Sequence, residues 1–104
     1  MTTQAFIDRR KTVTRRLGWA NLKVGEILQA VEKAQGLKKG EHVVKLGAIC
    51  VISTRIESLW LINQDDVVKE GFQNMSRQDF LDMFCKHNKV DQTALVNRIE
   101  FEYL

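Results

Sequence analysis

The residues of this 104-residue chain best suited to chemistry lie together in one stretch, "RRKTVTRR", Arg9 to Arg16. It carries four guanidinium groups, the Lys11 amine and the hydroxyls of Thr12 and Thr14, with Val13 its one apolar side chain. Guanidinium and ammonium groups bind phosphate or carboxylate, and threonine hydroxyls between them add donors for a phosphate oxygen or the edge of a base. Asp8 is the only acid before Glu26, so residues 1–16 carry net +4, while residues 17–104 hold eleven Lys/Arg against twelve Asp/Glu. The whole basic excess of a chain of formal charge +3 therefore sits in one segment, the pattern of a local anion site. A charge run can also be no more than a solvated face; the interleaved threonines and the lack of acids nearby in sequence favour the site.

Other groups are weaker candidates. Trp19, after Gly18, is expected to be largely buried, but next to the basic run it also suits a cleft wall on which a base could stack; Trp60 in "SLWLI" reads as core. Lys38 and Lys39, between Gly36 and Gly40, read as an exposed loop, one that could also line a wall of the cleft. His42, Cys50, Cys85 and His87 are metal-ligand types, but only Cys85 and His87 are close in sequence, and residues two apart on a helix diverge. No metal and no other cofactor is expected.

The elements that must position these groups are legible in outline. Length and composition, 44% hydrophobic and 28% charged, describe one domain spanning residues 1–104. No run approaches the roughly 18 apolar residues of a membrane span, and "MTTQAFIDRR" lacks a signal-peptide core, which points to a cytoplasmic protein without a membrane partner. In that reducing setting Cys50 and Cys85 are expected to be buried thiols. Thr2 or Thr3 can cap a short helix with Ala5 and Phe6 turned inward. Glu26–Lys33 fits either a helix or a strand, whereas His42–Ile62, rich in β-branched and aromatic residues, reads as two or more strands with a bulge or bend at Gly47. Asn63 caps "QDDVVKE", which stops at Gly71; Ser76 caps a second helix whose inner stripe is Phe80, Met83, Phe84 and, partly buried, His87. Ile99, Phe101 and Tyr103 alternate with Arg98, Glu100 and Glu102 in a final half-buried strand. Strands and helices in mixed order give α+β around a small, largely antiparallel sheet or barrel.

The order "KTVTRRL", "LKVGEIL", "KEGF" before a helix with "FLDMF", and "RIEFEYL" at the end resembles the ASCH (activating signal cointegrator homology) domain. The resemblance covers nearly the whole chain and implies a PUA-like β-barrel with helices at its ends, which would make Glu26–Lys33 a strand. It also implies recognition of RNA, another single-stranded nucleic acid or a modified nucleoside in a basic cleft. The residues at that cleft would be Arg10, Lys11, Thr12, Thr14, Arg15, Arg16, Trp19, Lys38 and Lys39. One branch of the family hydrolyses the amide of N(4)-acetylcytidine, and the resemblance carries its Lys and Thr to Lys11 and Thr14. Its Glu falls on Glu70 if the match is anchored on "EGF", or on Gln73, which carries no charge, if anchored on Asn74-Met75-Ser76. Amide hydrolysis needs a nucleophile, a base and oxyanion donors: Thr14 could attack or place water, and Lys11, its pKa lowered among four arginines, could serve as base with Glu70 holding it. Nucleic-acid or nucleoside binding is thus the expected function. Hydrolysis of acetylated cytidine or of RNA at the same cleft is the alternative, and adaptor binding to an acidic protein the third reading.

Overall fold

The computed structural model describes residues 3–19, 21–31 and 45–104, so expectations placed on Thr2, Glu32, Lys33, Lys38, Lys39 and His42 lie outside them. Helix α1 (Thr3–Ile7) leads to strand β1 (Val13–Arg16), followed by β2 (Ile27–Val31) and β3 (Lys45–Ser58). A 3-10 turn (Leu59–Leu61), α2 (Gln64–Lys69), α3 (Arg77–Asn88) and β4 (Leu95–Tyr103) complete the chain. Among the described residues, four strands form one antiparallel sheet in the order β1-β4-β3-β2. Residues from Ile27 are therefore strand, the choice periodicity alone left open.

His42–Ile62 was expected to hold two or more strands, and its described part is instead one long strand, β3. Two irregularities do the bending that a strand break would have done. Register shifts between Val51 and Ser53 opposite β4, and between Ala30 and Val31 opposite β3, leave Ile52 and Leu46 as extra residues. Gly47, beside the second shift, has φ 139°, a value other residues rarely adopt. Bulges bend and further twist a strand, and the sheet curls into an open half-barrel.

Trp60 corrects another expectation: it is 49% exposed rather than core. After Ser58 the chain tightens to three residues per turn, which puts Leu59 and Ile62 on one inward face, both almost fully buried, and turns Trp60 and Leu61 outward. His87 is likewise exposed; α3 buries Phe80, Leu81 and Phe84, with Met83 and Cys85 packed at the edge. Both cysteines are half-buried rather than fully enclosed. The caps follow the sequence: Asn63 Oδ1 accepts from Asp66 N at 2.8 Å and Ser76 Oγ from Asp79 N at 3.1 Å. Gly71, at φ 103°, terminates α2 as expected.

Strand alternation gives the sheet two faces. On the α2 face lie Val13, Arg15, Val96, Arg98 and Glu57, and Val96 joins Leu59, Val67 and Phe80 in the larger apolar cluster. On the opposite face lie Thr14, Arg16, Asn97, Ile99, Phe101 and Tyr103, and Phe6 of α1 packs on Phe101 and Tyr103. As a central strand covered on both faces, β4 buries Val96, Asn97, Arg98 and Ile99 in succession, so the half-buried period two expected there holds only toward its end. Among the described residues, no helix is long and apolar enough to cross a membrane.

Candidate functional site

The basic segment splits by strand alternation. Lys11, Val13 and Arg15 are buried, whereas Thr12, Thr14 and Arg16 are half-buried and Arg9 and Arg10 exposed. The segment is held at both edges: Thr12 N donates to Lys69 O at 2.8 Å, and Thr12 O accepts from Phe101 N at 2.9 Å.

A buried cation needs a partner, and three carboxylates distant in sequence supply them. Lys11 Nζ donates to Glu70 Oε1 at 3.0 Å and to the Glu70 carbonyl at 2.9 Å. Arg15 Nη1 donates to Glu70 Oε2 at 3.3 Å, and its Nη2 reaches Glu57 Oε1 at 2.8 Å and Asp66 Oδ2 at 2.5 Å. Arg98 grips Asp66 with both a 2.7 Å bond from Nε and a 3.1 Å bond from Nη2. Lys11, Arg15 and Arg98 are thus set against Glu57, Asp66 and Glu70 in one connected network. Acids absent from the neighbourhood in sequence are present in space.

The network shifts the titration of its members. Burial pulls the Lys11 amine below its ordinary pKa despite the opposing pull of Glu70; Arg15 and Arg16 add smaller effects in the same direction as burial. The direction matches the sequence reading, but the main cause is desolvation, not like charge. The Asp66 carboxyl is held well below the usual carboxylate range, chiefly by its bonds from Arg98 and then by Arg15, against burial.

Of the proposed catalytic trio, Lys11 and Glu70 meet, whereas Thr14 pairs with Ile99 in β4 and projects to the opposite face. Gln73, the other candidate for the glutamate position, is exposed. It lines an open pocket of about 410 Å³ with Arg10, Gly71, Phe72, Asn74, Met75 and Asp79. Arg10 also pairs with Asp8 at 3.4 Å, where both side chains are well exposed. At the far end of β1 the Arg16 guanidinium lies over the ring of Trp19, 5.6 Å from its centroid. Trp19 is 52% exposed at φ 74°, which corrects its expected burial. Lys38 and Lys39 lie outside the described residues.

Sequence reasoning missed Glu57, Asp66 and Arg98. Asp66 lies within the capped segment "QDDVVKE", and Arg98 reads as the solvent-facing neighbour of Ile99. The one available signal was Arg98 itself, a guanidinium preceding the most apolar part of the final strand. No protein-family model matches this chain, and no curated protein or solved structure shows a significant match.

Proposed function

We propose that this chain is an ASCH-type RNA-binding domain, its half-barrel part of a PUA-like barrel, which seats an unpaired or modified nucleoside beside Arg10. The observation that carries this reading is the pocket wall. A guanidinium there shares the lining with the carboxamides of Gln73 and Asn74 and the ring of Phe72, and Arg10 immediately precedes Lys11 while Gly71 to Asn74 follow Glu70, the two residues of the buried ion pair. Carboxamides offer a donor and an acceptor together, as a base edge requires, and the guanidinium suits a phosphate. Arg9, Arg10 and Arg16 remain outside the internal pairing of Lys11 and Arg15, which leaves a smaller cationic surface than the sequence count suggests. The test is fluorescence polarisation with labelled single-stranded RNA over a salt series. Affinity should fall with salt, and Arg10→Gln should lower the log–log slope by about 0.7, the share of a single phosphate. Salt-independent binding, or unchanged affinity in both Arg10→Gln and Gln73→Ala, counts against the reading.

One observation favours a second reading at the buried pair next to this pocket in the chain. A lysine with a lowered pKa, 3.0 Å from a carboxylate, is suited to take a proton from water in amide hydrolysis. The placement of Thr14 on the opposite face favours attack by water over attack by its hydroxyl. Cytidine formed from N(4)-acetylcytidine by the wild type and not by Lys11→Ala would support it; no turnover would leave binding alone.

A further inference from the structure

The two ends of edge strand β1 differ in what they offer. The pocket adjoins Arg10, three residues before β1, and the Arg16–Trp19 stack stands at its far end, at most about 20 Å away at some 3.3 Å per extended residue. From the stack a row runs across the sheet on the face away from α2: Arg16 pairs with Asn97, and Asn97 with Ile56. Leu95 follows on the same face of β4. Asn97 Nδ2 donates to Gly18 O at 2.6 Å, which ties the Leu17–Trp19 turn to this row. The result is an open surface: Ile56 and Leu95 are each 64% exposed, Trp19 52% and Leu17 46%.

Its charge is one-sided. Pairing registers place Glu57, Glu100 and Glu102, the carboxylates of the four strands, on the face that bears α2. The opposite face has Arg16 as a cation and, among the described strand residues, no carboxylate. An aromatic ring stacked with a guanidinium and flanked by aliphatic surface, with no carboxylate of the described strands on its face, is suited to unpaired bases and their phosphates. An acidic protein would also match the charge, but it gives no reason for the stacked ring.

We propose that this face is a base-stacking platform, so that the partner is a nucleic-acid strand of several nucleotides and not a free nucleoside. The inference rests on the RNA-binding reading and adds a second contact region to it. A strand seated at the Arg10 pocket would pass along β1 and place a later base on Trp19, with Arg16 serving both the ring and a phosphate.

The test uses the full chain. Trp19 and Trp60 are its two tryptophans, so Trp60→Phe makes Trp19 the sole indole reporter. Single-stranded RNAs of two, four, eight and twelve nucleotides are titrated by fluorescence polarisation and by Trp19 emission. Affinity should rise with length beyond about four nucleotides, Trp19 emission should be quenched on binding, and Trp19→Ala should weaken the long RNAs about tenfold while sparing the dinucleotide. Ile56→Glu, a change at an exposed position, should weaken the long RNAs also. RNA binding with unquenched Trp19 and unchanged affinity in both variants overturns the platform and leaves the RNA reading standing. No RNA binding at any length overturns both. Concentration-dependent self-association by sedimentation that Ile56→Glu abolishes would assign this face to a second protein copy and overturn the platform.

Discussion

Asp66→Asn is the sharpest test of the buried charge network, because Asp66 joins two of its three cations. Its carboxylate is 5% exposed by residue and takes bonds of 2.5 Å from Arg15 and of 2.7 and 3.1 Å from Arg98. Removing one partner of a buried ion pair costs about 3–5 kcal/mol, since the other charge stays buried without compensation. Asparagine keeps one acceptor oxygen, and Glu57 and Glu70 still serve Arg15, so the lower end, about 3 kcal/mol, applies. That is a large part of the roughly 5–15 kcal/mol that holds a small domain folded, and it corresponds to a fall in Tm of about 12–24 °C at this size. The assay is urea unfolding at pH 7 and pH 3, with exposed Asp65→Asn as a control for charge at the start of α2; that control should cost at most about 1 kcal/mol. The pH arm has a definite sign. The folded state holds the Asp66 pKa below its unfolded value, so its contribution is present above about pH 4 and declines as pH falls toward the lower folded value. The gap between wild type and Asp66→Asn should therefore be full at pH 7 and narrower at pH 3. A cost under about 1 kcal/mol at pH 7, or a gap of constant size, would refute the view that the network stabilises the fold through the charge on Asp66.

Two further predictions concern particular side chains. The Lys11 side-chain resonance should titrate with a midpoint below that of an ordinary lysine, because burial outweighs Glu70; stability from this group should rise as pH climbs from the folded pKa toward the unfolded one. A midpoint at or above the ordinary value would show that the Glu70 pairing dominates. Leu59→Ala should cost about 2–5 kcal/mol by denaturant unfolding, and Trp60→Ala, one residue later but 49% exposed, should cost less than about 1 kcal/mol. Equal costs would refute the 3-10 geometry that separates the two side chains.

The sequence by itself determined the local features. The caps at Asn63 and Ser76 and the stop at Gly71 depend on interactions between residues a few positions apart, and the inward Ala5 and Phe6 and the irregularity beside Gly47 were legible from local pattern although their partners lie elsewhere in the chain. The concentration of charge in Arg9–Arg16 was equally plain. Which of those charges stay outside was not, because it depends on partners more than forty residues away. The β1–β4 register sets Arg15 beside Arg98, and α2 then brings Asp66 and Glu70 to the same face. Desolvation makes an unpaired charge there too costly, so Lys11 and Arg15 turn inward to carboxylates while Arg10 and Arg16 stay outside. Trp60 and Trp19 make the same point from apolar residues. A strand pattern cannot reveal that the chain tightens into a three-residue turn after Ser58, nor that Asn97 ties the Trp19 turn to the sheet. Periodicity records which residues alternate; only tertiary contact decides which side of the alternation is inside.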